Sequence, residues 1–553
     1  MDQNKPLLTP WQRFVGILKL ERKDITQVLY YAVFSGLIAL TLPLGIQAII
    51  NLIQGAQVST SWIILVILVT LGVAFVGVLQ LMQMRIIETI QQRIFMRASF
   101  EFTYRFPKIR MDELVNYYPP ELANRFFDVL NIQKGLAKLL LDVPAAALQI
   151  VFALILLSLY HPFFIAFGIL LIVLIYIVFK YTIERGMVTS LKESKQKYKV
   201  AHWIQEVARS IISFKMSGKT TMALSKNDYL VDGYLKDREN HFKILVLQFI
   251  QMIGFKVIVT AGLLIIGGLL VLSQEMNIGQ FVAAEIIILL IITSVEKLIL
   301  GLESFYDVLT SLEKMGQVVD KKIESQEGED PVFTEDFNIQ LDNVTYTVPD
   351  RSMPILKDIS LSIKAKSRVL VRGASGAGKS SLLRLIAGII KPTDGVIYLN
   401  DVNLKSIHTN RYRYNLGVSL ADETPFEGTI KDNITFGDPD ISPDEVREAL
   451  RNVRLSEYIK DTEKGLDTII YPEAKQTSYT VAKKLILARA IVRKPKLLLL
   501  EDPLEHFERE EAQELIKFLT DDSNPWTLIV VSFNNDWASE CTDTVTLKRG
   551  QIV

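Results

Sequence analysis

Cysteine is almost missing from these 553 residues: Cys541 stands alone. One thiol closes no internal disulfide and builds no cysteine-based metal cluster. Net charge is missing too, since 61 basic residues meet 61 acidic ones. No global field therefore favours nucleic acid, and none is expected as a partner. The most telling absence is local. Asp, Glu, Lys, Arg and His do not occur anywhere from Ile25 to Met84. A soluble domain of average composition does not leave so long a stretch without charge, and 49% of the chain is hydrophobic.

A membrane helix needs about 20 apolar residues, so this run predicts two spans joined by a turn at "NLIQGAQVSTS". A second uncharged region, Val143 to Phe179, is interrupted at "YHPF" and predicts two more. Segments near Leu245–Leu272 and Ile278–Leu300, split by "SQEMN", supply the fifth and sixth. The three short loops, around Gly55, His161 and Glu275, contain no Lys or Arg. The two long connections are basic, with Arg85, Arg93, Arg97, Arg105, Lys108, Arg110 and Arg125 in one and Lys192 through Lys243 in the other. By the positive-inside rule the long connections and both termini face the cytoplasm. No signal peptide is expected, because the first apolar run is too long and has no small-residue cleavage site. Apolar residues persist at helical spacing in "RIIETIQQRIFMRASFEFTYRF", which predicts helices that continue as stalks beyond the bilayer. Glu285 lies about 12 Å below the outer end of its span at 1.5 Å per residue. A carboxylate at that depth is either hydrogen-bonded between helices or turned to a cavity. Lys256 lies nearer the inner boundary, where snorkelling satisfies it without a partner.

The predicted layout is residues 1–24 as a cytoplasmic segment, 25–305 as a six-span helical domain, 306–337 as a linker and 338–553 as an α/β domain. The linker carries "KKIESQEGEDPVFTEDF"; beyond it strand-like and helix-like stretches alternate. Directly after the strand "SRVLVRG" comes "GASGAGKSS", comprising Gly373, Ala374, Ser375, Gly376, Ala377, Gly378, Lys379, Ser380 and Ser381. This matches G-x-x-x-x-G-K-[ST] in a strand–loop–helix context. Such a loop wraps phosphate oxygens with backbone N–H groups and offers them a helix N-terminus. Lys379 is expected to reach the β- and γ-phosphates of ATP and Ser380 to hold Mg²⁺.

With "ILKDISLSI", "PTDGVIYLNDVNL", "FEGTIKDNITFG" and "LARAIVRKPKLLLL" following in order around that loop, the chain resembles an ABC exporter half-transporter. The fold class implied is a membrane all-α six-helix domain followed by an α/β P-loop ABC nucleotide-binding domain. "MNIGQFVAA" and "LYHPFF" are most similar to type I secretion and bacteriocin exporters. Some of those begin with a peptidase domain, for which residues 1–24 leave no room. The resemblance implies a dimer sandwiching two ATP molecules, each between one P-loop and the other subunit's signature sequence. The loop tips Asn116–Asp128 and Ser213–Ser225 are then expected to couple to the ATP domains. Also implied are a bacterial inner-membrane location, a homodimer or a heterodimer with another half-transporter, and a periplasmic adaptor with an outer-membrane channel.

Against that family pattern several positions depart. The adenine-stacking aromatic falls on Val348, with Tyr346 on the same strand face as a partial substitute. Ala421 replaces the glutamine that serves Mg²⁺ and the attacking water. The signature reads "TSYTV", Thr477 to Val481, keeping Ser478 but putting Tyr479 and Thr480 where both glycines belong. The acid pair is reversed: Glu501 takes the metal position and Asp502 the place of the base. Glu508 stands where a short loop ends in Asp, and Phe533 replaces the switch histidine. Phenylalanine donates nothing to a phosphate oxygen. His506 is expected to be an ordinary exposed histidine. The reading is an ATP-binding exporter subunit with weak hydrolysis. The alternatives are an ATP-gated scaffold or regulatory subunit that does not pump, and a fully active exporter with Asp502 as base. A heterodimer does not readily rescue hydrolysis, because the partner's P-loop would face "TSYTV".

Overall fold

The computed structural model describes residues 8–54, 60–325, 327–329, 337–349 and 351–553. The turn at Gly55 and the middle of the acidic linker, 330–336, lie outside the described residues. The chain divides into two units, Met1–Pro107 with Tyr117–Lys321, and Lys108–Asn116 with Lys322–Val553.

The first unit is helical. Six segments are long and apolar enough to cross a membrane: Arg22–Gln54, Thr60–Lys108, Pro119–Ser158, Phe163–Arg209, Met222–Leu272 and Ile278–Val319. This is a multi-pass membrane protein. The helix Phe163–Arg209 runs 47 residues without a break, about 70 Å at 1.5 Å per residue. That is more than twice the ~30 Å hydrocarbon core, so part of the helix stands clear of the bilayer as a stalk. A short helix, Pro10–Leu20, precedes the first span and is capped by Thr9 and Gln12 in a reciprocal box.

The third span packs along the sixth, and the fourth along the fifth. The sixth is the most buried helix of the unit. Small residues on its buried face, among them Ala283, Ala284, Ser294 and Gly301, admit the close helix approach that membrane packing favours. Composition places the end of this element near residue 305, but the helix continues to Val319. Tyr306, Val308, Leu309, Leu312 and Val318 are buried, so the apolar face persists at helical spacing through charged sequence and the linker is correspondingly shorter.

Several polar groups inside the unit are paired across helices. The Tyr306 hydroxyl donates to the Thr182 carbonyl at 3.1 Å and accepts from Gln248 Nε2 at 3.0 Å. Ser190 meets Thr310 at 3.0 Å, and Ser294 donates to Gln149 at 3.0 Å. The Tyr306 ring occupies space that a Cβ at Gly186 would need, with Cζ only 2.3 Å away. Lys256 does not rely on snorkelling. Its ammonium donates to Glu296 in the sixth span at 2.7 Å. Glu285 is half-buried and has no hydrogen-bond or ion-pair partner among the described residues.

The second unit is α/β. Its central sheet runs Gln551–Ile552, Asp543–Lys548, Arg368–Gly373, Thr527–Val531, Leu497–Glu501 and Leu416–Ser419, parallel except at the terminal hairpin. The strands Leu497–Glu501 and Thr527–Val531 are buried along their whole length, as expected of runs covered on both faces. An antiparallel sheet of Leu356–Ile363, Ile339–Tyr346, Asp394–Leu399 and Val402–Asn403 lies beside it in the same unit. Lys108–Asn116 joins this unit through Ile109, which bridges to Ile323, and Arg110 N, which donates to Lys322 O at 3.0 Å.

Candidate functional site

In open α/β sheets ligands bind beyond the carboxyl ends of the parallel strands. Here the strand Arg368–Gly373 ends in the glycine-rich loop, and Leu497–Glu501 ends in the first acid of the reversed pair. Gly378 has φ +99°, and a Cβ there would meet Leu356 at 2.7 Å and the Ile355 carbonyl at 3.1 Å. Only glycine fits that turn. The helix Lys379–Ile386 starts immediately after it.

Lys379 Nζ donates to the carbonyls of Gly373 at 2.9 Å and Ala374 at 3.0 Å. It also sits 4.5 Å from the centroid of the Phe533 ring. The aromatic in the switch position thus gives the P-loop lysine a cation–π contact rather than a phosphate donor. Ser380 Oγ donates to Glu501 Oε1. The second oxygen of Glu501 accepts from Ala421 N at 3.3 Å, and the Ala421 carbonyl accepts from Lys483 Nζ at 2.8 Å. Ser380, Glu501, Ala421 and Lys483 therefore form one continuous chain of hydrogen bonds. Glu501 and Lys483 are both buried. The longer side chain of Glu501 spans the distance to Ser380 directly, and the shorter Asp502 points elsewhere.

Asp502 adopts φ +40°. Its N–H donates to Val531 O at 2.9 Å, and the nearby Phe533 N–H and Ser532 hydroxyl favour the ionised form of its carboxylate. Burial pushes its pKa above the ordinary 3.8, and the charges of Glu505 and Glu501 add to that despite those two donors. The folded protein then holds a proton on Asp502 more tightly than the unfolded chain does. Stability is lost as pH rises from the unfolded pKa through the folded one, and above both the loss is complete. Asp502→Asn keeps an acceptor oxygen and tolerates positive φ. The variant should unfold at a higher temperature than wild type at pH 7, with the gap closing as pH falls through the aspartate range. Thermal unfolding at a series of pH values checks this; a gap that widens at low pH would contradict it.

The signature region opens the helix that carries Lys483, whose ammonium lies 5.7 Å from the centroid of the Tyr479 ring. Ser478 is the N-cap of the helix Tyr479–Ile491, its hydroxyl accepting from Val481 N at 3.3 Å and lying 3.2 Å from Thr480 Oγ1. The Tyr479 ring is 45% exposed, its hydroxyl donates to Glu505 at 3.3 Å, and His506 packs edge-on against it at 5.4 Å. His506 is thus exposed but not isolated. Sequence reasoning missed Lys483, whose signal was two adjacent lysines inside an otherwise apolar helical stretch. It also missed Glu505.

A cavity of about 740 Å³ opens on the P-loop, lined by Gly376–Ser381, by Arg351–Ile355 and by Arg549. Tyr346 is not part of it. Its ring lines a separate cavity of about 250 Å³ with Arg110, Glu324, Pro349 and Thr393. The two-residue alternation that put Tyr346 and Val348 on one face holds only within a strand, and the strand ends at Tyr346.

The family model for ABC transporters matches residues 356–505. The chain superposes on a bacterial Atm1-family ABC exporter with ATP bound. The TM-score is 0.85, at 17% sequence identity, with 97% of this chain and 95% of that one covered. The C-terminal unit is an ABC transporter domain, and the chain has the fold of an ABC exporter half. Among curated proteins, the chain is 26% identical over 315 residues to the alpha-hemolysin translocation ATP-binding protein HlyB of Escherichia coli. The match covers 56% of this chain and 45% of that protein. It is 26% identical over 306 residues to the toxin RTX-I translocation ATP-binding protein of Actinobacillus pleuropneumoniae, covering 55% and 43%. Human ATP-binding cassette sub-family B member 5 is 29% identical over 241 residues, covering 43% and 19%. The chain thus spans about half the length of the bacterial relatives it matches, and less of the human one.

Proposed function

We propose that this chain is the ATP-binding subunit of a dimeric membrane exporter of the secretion type, binding ATP with an intact P-loop and hydrolysing it slowly. One observation carries the reading: the loop Gly373–Ser381 and Lys379 are complete, while Ala421, Tyr479 and Phe533 place no hydrolytic group around it. The Ser380 hydroxyl and the Glu501 carboxylate meet each other, and both are hard oxygen donors of the kind Mg²⁺ takes alongside nucleotide phosphates. These two residues would hold the ion, which when bound neutralises phosphate charge. Asp502 remains a weak candidate base, since it is held off by Ser532 and Phe533 and its raised pKa opposes the ionised form.

The toxin-translocation relatives favour a peptide or protein substrate, a bacterial inner-membrane location with cytoplasmic termini, and an adaptor with an outer-membrane channel as partners. The half-molecule architecture calls for a second half, a copy of this chain or a related one. The test is phosphate release by the full-length protein, purified with whatever co-purifies, beside Lys379→Ala. Wild type should bind ATP and turn it over far below the usual enzyme range of about 1–10³ s⁻¹, and Lys379→Ala should lose binding. Turnover within that range, abolished by Lys379→Ala, would establish the fully active exporter instead.

A further inference from the structure

A cavity of about 370 Å³ opens between the fifth and sixth spans of the helical unit. Ligand sites commonly measure about 300–1,000 Å³. Phe242, Leu245 and Phe249 wall it from the fifth span, and Ile299 and Leu300 from the sixth. The sixth helix starts at Ile278, just after the short loop "SQEMN", and about 20 residues cross a bilayer core. Ile299 and Leu300 therefore lie at the boundary remote from that loop, the cytoplasmic one in the orientation proposed above.

Three polar side chains complete the lining, Arg238, Gln248 and Glu303, and their chemistry is one-sided. Arg238 is already matched: its Nη1 donates to both carboxylate oxygens of Glu193, at 3.2 and 3.3 Å. Gln248 is 3% exposed, and Tyr306 fixes which way its amide lies. The tyrosine gives its one proton to the Thr182 carbonyl, so its oxygen can only accept from Gln248 Nε2. The amide oxygen of Gln248 is left without a hydrogen-bond partner among the described residues. Glu303 is exposed and has no hydrogen-bond or ion-pair partner among them either. With its one cation neutralised, the cavity offers two acceptors, one of them charged, and two phenyl rings whose faces attract a cation.

Glu285 shares that face of the sixth helix. It precedes Glu303 by 18 residues, which is about five turns and about 27 Å along the axis. Leu289 and Leu300, between them, are exposed, so the face is turned away from the unit's own core. Glu296 lies on it too but is taken by Lys256 at 2.7 Å. Open carboxylates are costly on a surface that meets only lipid; on a surface that receives cationic groups they are useful.

We propose that this cavity binds cationic, apolar segments of an exported peptide, with Glu303 and Gln248 as specificity-determining residues and Glu285 as the next acceptor toward the outer end. The inference rests on the export reading and names its substrate class. Phe242, Phe249 and Leu300 take the apolar side chains. Glu303 and the Gln248 amide oxygen receive the ammonium or guanidinium of a lysine or arginine, through hydrogen bonds that charge strengthens. An acidic segment would set like charge against Glu303 and is selected against.

The experiment measures equilibrium binding of three capped tripeptides, Ac-Leu-Phe-Lys-amide and its glutamine and glutamate counterparts, to the full-length protein in phosphatidylcholine nanodiscs, with binding to empty nanodiscs subtracted. The lysine peptide should bind about tenfold tighter than the glutamate peptide, about what one charge-assisted contact supplies, with glutamine between. Added salt should weaken the lysine peptide most. Glu303→Gln should bring the three within about threefold of one another while thermal unfolding stays unchanged, since that side chain is exposed. Leu300→Trp should fill the cavity and weaken all three. Equal affinities in the wild type would overturn the proposal, as would a lysine preference that survives Glu303→Gln in a folded protein. Absence of saturable binding, the result expected if a second half covers the cavity, would overturn it as well. ATP binding and its loss in Lys379→Ala test the export reading apart from this. A protein that binds the lysine peptide but not ATP would keep this site and lose that reading.

Discussion

Arg368→Leu should destabilise the ABC domain by about 3–5 kcal/mol, the scale for leaving several buried acceptors of one hydrogen-bond network unsatisfied. Arg368 opens the P-loop strand and is 1% exposed. No carboxylate receives its guanidinium; backbone carbonyls do. Nη1 donates to Trp526 O at 2.6 Å and Lys366 O at 2.8 Å, Nη2 to Asp521 O at 2.9 Å, and Nε to Thr520 O at 3.3 Å. Thr520 and Asp521 terminate the helix Arg509–Thr520, so the cation also sits at the negative end of a helix dipole. Leucine would fill part of the volume and leave these carbonyls without donors, at about 1–3 kcal/mol for each that stays dry. A domain with some 5–15 kcal/mol in total would be left marginal. Burial lowers the Arg368 pKa from its ordinary value, and arginine still stays charged at neutral pH. The loss should therefore not depend on pH between 6 and 8. Arg368→Lys, with charge but fewer and unforked donors, should fall between. Chemical unfolding followed through the buried Trp526 reads all three proteins. A loss below about 1 kcal/mol for leucine would show that water or a rearranged turn satisfies the carbonyls.

The second large effect is a gain. Combining Ala421→Gln, Tyr479→Gly, Thr480→Gly, Glu501→Asp, Asp502→Glu and Phe533→His should raise ATP turnover by about 100-fold or more. Each substitution alone should do little, because groups that act as one unit are strongly non-additive. The structure gives the reasons one by one. Phe533 stacks on Lys379 and has nothing to donate. Ala421 contributes only backbone, its N–H to Glu501 and its carbonyl to Lys483. Tyr479 adds bulk at the start of a helix whose first residues the family keeps as glycine. One removed donor aimed at developing charge is worth about 10²–10³ in rate, so repairing several at once should be visible over any background. Phosphate release by purified protein checks this, with Lys379→Ala in the repaired background as the control that returns it to baseline. A repaired variant that folds and binds nucleotide yet turns over no faster would place the defect elsewhere, in the approach of the two halves.

How much of this was legible beforehand follows from what each feature depends on. The spans could be read because transfer into lipid depends on composition alone. The phosphate loop could be read because its work is done by backbone, and the glycines that permit it are visible as letters. The end of the sixth helix could not, since Tyr306 to Val318 mixes charge with an apolar stripe and composition averages the two. Tyr346 was assigned to the base through strand periodicity, which stops at that residue, and it lines a neighbouring cavity. Lys483 was silent because its role is a contact with a carbonyl more than sixty positions away, which no local pattern announces.

The pairing of Lys256 with Glu296 has a consequence for biogenesis. A lone lysine or acidic residue near the middle of a span costs about 2.5–3.5 kcal/mol on insertion scales, and less toward the boundary where Lys256 sits. When the fifth span leaves the ribosome, its counter-charge has not yet been synthesised. The fifth helix is thus poorly suited to partition into lipid by itself, and the two helices joined by "SQEMN" are best released into the bilayer together, as a hairpin that neutralises its own charge on entry.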